Sequence, residues 1–162
     1  MNELQGHRLD DLLRATFRLL EFRPGQREVI ADLLSNHDVV CVMPTGAGKS
    51  LCYQLPAVAM GGLTIVVSPL IALMADQTRQ LSELAVPTLL LNSSQDSTQQ
   101  RLTLQKLHAG FDGILYVAPE RFAAPSFRDL LPKLKPRLFV VDENGVLTGV
   151  VSAMDILQHL RS

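Results

Sequence analysis

The sequence predicts an α/β fold on a doubly wound parallel sheet, and three observations carry that reading. Short runs that are apolar nearly throughout recur along the chain: Val39-Val40-Cys41-Val42, Thr64 to Val67 and Leu138 to Val141 among them. Stretches with helical spacing separate them. A strand with one wet face alternates apolar and polar residues, whereas a strand covered on both faces does not, and helices on both faces of a parallel sheet supply that cover. A glycine-bearing loop, Pro44 to Gly48, joins the first strand to the helix after it. Ligands of open α/β sheets gather at such strand ends.

The elements follow in order. Leu9, Leu12, Leu13, Phe17 and Leu20 recur at helical spacing and predict an amphipathic helix over 8–21. Arg23-Pro24-Gly25 interrupts it, and a second helix runs from Gln26 to Leu34 before the turn Ser35 to Asp38. Val39 to Val42 reads as a buried strand, and Lys49 to Val58 as a helix despite Pro56. Strands are expected at 64–67, 88–91, 114–117 and 138–141. Helices are expected at 70–84, 97–108 and 127–131, with a capping segment at Ser93 to Gln100. Asn144-Gly145 then stands between two apolar runs, a strong hairpin signal. A strand over 146–151 and a helix over 153–160 complete the chain as a C-terminal β-hairpin plus helix.

Composition bounds the function. The 162 residues suit one domain, 47% are hydrophobic and 19% charged, and the net charge is −1. A disordered chain and a basic field over the whole surface are both excluded, so any nucleic-acid contact rests on a local patch. Cys41 and Cys52 have no zinc spacing and read as buried reduced thiols, which favours a cytoplasmic setting. The polar start, Met1 to Asp10, has no signal core, and no apolar run approaches the ~18 residues of a membrane helix. Oligomeric state is not legible.

Met43-Pro44-Thr45-Gly46-Ala47-Gly48-Lys49-Ser50, between strand and helix, is a P-loop pattern. Gly46 and Gly48 let backbone amides turn inward with no Cβ in the way, with Thr45 and Ala47 between and before them. The helix start brings its positive end to the phosphates, Lys49 adds a point charge, and Ser50 offers a hydroxyl to Mg²⁺. The expected ligand is ATP with Mg²⁺. Met43 stands where the pattern's first glycine is usual. A P-loop also needs an acid on a neighbouring strand. Asp142-Glu143 after Leu138 to Val141 supplies it: Asp142 would face magnesium through water and Glu143 would polarise the attacking water. A solvated pair at a hairpin turn is the plain alternative.

With these motifs in order, residues 10 to 143 resemble the first RecA-like domain of RecQ-family DNA helicases, a P-loop NTPase fold. Phe22-Arg23-Pro24-Gly25-Gln26 resembles that family's motif 0, which implies that Gln26 reads the adenine edge and Arg23 packs on its face. Met43 to Ser50 matches motif I, Ser68 to Gln77 matches motif Ia, and Val140 to Glu143 opens motif II. Leu91 to Gln95 and Tyr116 to Arg121 are similar to further family segments. The resemblance implies ATP hydrolysis coupled to DNA, with single-stranded DNA near motif Ia. It implies also that the Leu138 strand lies beside the P-loop strand. Departures are Leu19 in place of an adenine-stacking aromatic, Asn144-Gly145 in place of Ala-His, and no match to the aromatic-rich loop. Nor is there a match to the second RecA-like domain with its arginine finger, so hydrolysis is expected to be weak or absent.

Residues 137 to 162 resemble the closing part of a CBS module, which implies that Ser152 and Asp155 hold a ribose; a helix cap explains the same pair. The expected division is 1–143 as motor segment and 144–162 as CBS-like tail, joined as in a fusion. The rival functions are an adenine-nucleotide sensor of CBS type and an inactive chimera. A four-residue turn delivers its second strand antiparallel, which demands a free edge. Either the Leu138 strand is an edge strand, or the hairpin pairs only beyond the sheet.

Overall fold

Alternate residues of the central strands divide the core between the two faces of one sheet. The computed structural model describes residues 3–44, 46–143 and 147–152. Its helices are α1 (Glu3–Ala15), α2 (Gln26–Leu34), α3 (Leu51–Met60), α4 (Ile71–Glu83), α5 (Ser97–His108) and the short α6 (Pro125–Arg128). Its strands are β1 (Val39–Cys41), β2 (Leu63–Val67), β3 (Thr88–Leu91), β4 (Gly113–Val117), β5 (Leu138–Glu143) and β6 (Leu147–Ser152). On one face, Val66, Tyr116 and Val140 pack with Leu13, Ile30, Leu55 and Met74 of α1 to α4. On the other, Ile65, Leu115 and Phe139 pack with Leu107 of α5 and with Phe127 and Leu131. Phe122 meets Phe127 and Phe139 edge-on, at ring distances of 5.3 and 6.3 Å. The α/β doubly wound class is as the sequence predicts.

The sheet order is β1-β6-β5-β2-β4-β3. β2 runs parallel to both β4 and β5, and β3 parallel to β4. β6 is antiparallel to both of its neighbours, β1 and β5. The hairpin is thus antiparallel, as its short turn requires. Its place corrects the two alternatives above: β6 enters the sheet, and β5 is not an edge strand. The expectation that the P-loop strand lies directly beside the Leu138 strand is also corrected, since β6 separates them. Residues 144–146 and the expected helix over 153–160 lie outside the described residues.

Three local expectations change. The first helix ends at Ala15 and not at residue 21. Arg18 takes a left-handed φ of 57°, and the Leu19 N–H turns back to the Leu13 carbonyl at 3.2 Å, which carries the chain off the helix axis. Leu20, counted in the apolar stripe, is 84% exposed. The run Val39 to Val42 is not buried throughout: Val39 and Cys41 face the core, but Val40 is 72% exposed and Val42 67%. β1 is an edge strand with one face uncovered. The helix expected over 127–131 is α6 followed by a 3-10 turn, Leu131–Lys133.

Candidate nucleotide site

Two reversals place the chemistry at one edge. Because β6 is antiparallel to β1 and to β5, those two strands run in the same direction. Thr148 is in register with Cys41 on one side and with Asp142 on the other. At the usual strand spacing, Cys41 and Asp142 lie about 10 Å apart across β6. The loop that leaves β1 therefore starts beside the end of β5 that carries Asp142 and Glu143.

The loop itself has the backbone that a phosphate cradle needs. Gly46 and Gly48 take φ of 82° and 78°, which side chains with a Cβ disfavour. At Gly48 an added Cβ would stand 2.5 Å from Gln26 Nε2 and would displace that side chain. Ser50 is already helical (φ −56°, ψ −37°), and the Cys52 N–H donates to the Lys49 carbonyl at 2.9 Å. The Leu51 and Tyr53 N–H groups likewise close onto the Gly48 and Ser50 carbonyls, so the amides left for an anion are those that precede Leu51, at the positive end of α3.

Lys49 carries the main electrostatic signal. Its Nζ is buried and has no hydrogen-bond partner. An uncompensated buried ammonium costs several kcal/mol. It lies near enough to Cys41 to act on its thiol, whose pKa burial nonetheless raises. Burial pushes the Cys52 thiol up to about 12, with Cys41 adding to the effect. Both cysteines are free and buried, as expected.

The residues matched to motif 0 lie on the loop. Gln26 is 2% exposed. Its amide donates to the Gly48 carbonyl at 2.9 Å, and its oxygen accepts from the Arg23 N–H at 2.8 Å. The Arg23 guanidinium donates to the Gly46 carbonyl. Gly25, at φ 83°, approaches the Met43 side chain, where an added Cβ would stand 3.3 Å from Cε. Met43 thus occupies the contact between the two motifs. Leu19 is 44% exposed.

Asp142 is half-buried, and its charge helps to raise the pKa of two buried tyrosines. The Tyr53 hydroxyl is pushed well above its ordinary value and that of Tyr116 to about 12, burial being the main cause in each. Glu143 ends β5. No group of three or more His, Cys, Asp or Glu is gathered among the described residues. A magnesium ion carried on phosphates needs fewer protein ligands, so the Ser50 hydroxyl and the Asp142 carboxylate are the right chemistry for it. Thr45 and Asp155 lie outside the described residues. Ser152 is in register with Leu138, at the opposite edge of the sheet from the loop.

Further along the site edge, Ser68, Asn92 and Arg121 follow β2, β3 and β4. Asn92 is fully buried with Nδ2 unpartnered, and Arg121 Nε is likewise buried without a partner. Sequence reasoning singled out these segments only through their resemblance. It missed the joining of Tyr53, Gln54, Gln77 and Tyr116 into one buried polar cluster. The available signal was Gln54, a lone amide inside the apolar run Leu51 to Ala57.

Residues 23–161 match the family model described as DEAD/DEAH box helicase. The chain is 45% identical over 133 residues to the ATP-dependent DNA helicase RecQ of Pasteurella multocida, covering 82% of this chain and 21% of that protein. It is 38% identical over 138 residues to the RecQ of Bacillus subtilis, covering 85% and 23%. It is 41% identical over 142 residues to the ATP-dependent DNA helicase Q-like 5 of Arabidopsis thaliana, covering 87% and 16%. The chain spans about a fifth of the length of these curated relatives.

Proposed function

The chain belongs to the DEAD/DEAH box helicases, in their RecQ branch, and on that premise we propose that it is an ATP-binding motor segment that holds Mg-ATP in the Met43 to Ser50 loop. The observation that carries this reading is the buried, unpartnered ammonium of Lys49 at the start of α3. A phosphate would supply both the opposite charge and the acceptor that this ammonium lacks, and the positive end of α3 favours one.

In this reading the residues divide the work. Gly46 and Gly48 lend backbone amides, Ala47 does so on releasing the Pro44 carbonyl, and Thr45 belongs to the same cradle. Lys49 neutralises the outer phosphates. Ser50 and Asp142 would hold magnesium, which when bound screens phosphate charge during transfer. Glu143 orients the attacking water. Gln26 reads the adenine edge by giving up the Gly48 carbonyl, and Arg23 packs on the base. Hydrolysis by this segment alone is weak or absent. Single-stranded DNA is the partner proposed for the edge beyond β2 to β4, a reading that rests on the similarity to relatives named as DNA helicases. A cytoplasmic setting fits the free thiols. No described helix is long and apolar enough to cross a membrane. The division into 1–143 and a tail belongs to the same proposal. A CBS-like sensor has no observation in its favour, because Ser152 is at the far edge and the family match runs to residue 161.

The test is equilibrium binding of a fluorescent ATP analogue, with and without Mg²⁺. Lys49→Ala is expected to weaken magnesium-dependent binding by about 3 kcal/mol, roughly 100-fold. Unchanged affinity in that variant sinks the assignment, and binding that ignores magnesium but falls in Asp155→Ala transfers it to the tail.

A further inference from the structure

A buried polar cluster ties the helix that starts at the phosphate loop to a second helix and to the centre of the sheet. Gln54 lies one turn into α3, its N–H donating to the Ser50 carbonyl at 2.9 Å. Its side-chain amide donates to Gln77 Oε1 of α4 at 2.7 Å and to the Tyr116 hydroxyl of β4 at 3.1 Å. The Tyr116 and Tyr53 hydroxyls are 3.3 Å apart. Tyr53 and Tyr116 are each 1% exposed and Gln54 is 8% exposed, while Leu55 and Met74 nearby are fully buried. In such surroundings a lost hydrogen bond is not replaced by water, so the cluster holds one arrangement or exchanges it for another as a unit.

We infer that Gln54 is a positioning residue that links occupancy of the phosphate loop to α4, acting through Gln77 and Tyr116. This rests on the nucleotide reading above and deepens it. Phosphate binding draws on the first turn of α3, and Ser50 is bonded directly to the backbone of Gln54. A shift of that turn changes the geometry of both amide bonds at once, because one nitrogen donates both. Tyr116 is fixed by its strand, so α4 is the element left to respond. The charge of Asp142 already reaches both hydroxyls. The cluster therefore borders the magnesium side of the site as well as the loop side.

The chain has two tyrosines, and both belong to the cluster. Tyrosine labelled with ¹³C at Cζ thus gives two signals that report on it alone. Mg-ATP added to the full chain is expected to shift both signals and to slow amide exchange in residues 71–83 by about tenfold. Gln54→Met and Gln77→Met, which keep volume but remove the bond, should bind Mg-ATP within about threefold of the wild type and lose the exchange effect. Gln77→Glu keeps an acceptor for the Gln54 amide and should retain it. If the Met variants bind and still protect α4, or if the wild type binds without protecting α4, the inference is overturned and the nucleotide reading stands. If the wild type does not bind, both fall. Should Gln54→Met fail to fold, the half-buried Gln77 pair of variants decides the matter alone.

Discussion

Four strands, β5, β2, β4 and β3, are covered on both faces; β1, at the margin of the same sheet, is covered on one. Val140 of β5 is fully buried, whereas Val40 of β1 is 72% exposed. The clad block carries the apolar burial that drives folding. The margin carries the phosphate loop. The candidate site is split between them, with Asp142 on the block and Lys49 beyond the margin. The lesson is that a loop able to receive a ligand hangs on the part of the fold with least cladding, where opening is least costly. A nucleotide that touches both parts would stabilise the margin against the block by mass action.

The block's dry interior can be tested first by alkali, where the effect is largest. A buried tyrosine whose folded pKa is raised holds its proton while the unfolded chain ionises. Its stabilisation is complete below the ordinary value of 10.0 and lost as pH rises to about 12 for Tyr116. At about 1.4 kcal/mol for each pH unit, Tyr116 accounts for roughly 2–3 kcal/mol. The tyrosine absorbance change should therefore coincide with unfolding near pH 11–12 and show no separate step near pH 10. A reversible step near pH 10 would break the comparison, since it would mean that the interior is wet.

The same substitution in the two regions sharpens the contrast. Val140→Ala should cost about 2 kcal/mol in urea denaturation, from lost transfer energy and a small cavity, while Val40→Ala should stay within about 0.5 kcal/mol. Equal losses would mean that β1 is covered in solution. A smaller effect probes the block's outer cover. Asp96 caps α5, accepting from the Gln99 N–H at 2.8 Å, and Gln99 returns a bond to the Asp96 N–H at 3.2 Å. Asp96→Ala should lower stability by about 1 kcal/mol, with the nucleotide affinity unchanged.

The block was the legible part. Its strands are apolar on both faces, and that composition has few other uses. The loop was legible because Gly46, Gly48, Lys49 and Ser50 fall between a strand and a helix. The register that brings Cys41 and Asp142 to the same level was not, because it depends on β6 pairing with β1, and the hairpin signal at Asn144-Gly145 names only β5 as its neighbour. The exposure of Val40 was hidden for a related reason: periodicity describes a strand's own residues and not whether a helix lies over them. The end of α1 was misjudged because Arg18 takes a left-handed turn that favours glycine or asparagine, so no punctuation marked it. Gln54 alone hinted at the buried polar cluster: Tyr53 stands beside it, but Gln77 and Tyr116 are far away in sequence.

The place of β6 has a wider consequence. The loop and the acid share an edge because β1 and β5 point the same way, and an intervening strand of either direction permits that. What the site asks of its middle strand is thickness, roughly one spacing's worth, and hydrogen bonds for two flanks. The slot between β1 and β5 acts as a spacer. Any strand that pairs with both flanks would hold the two walls that bear the chemistry at the same separation.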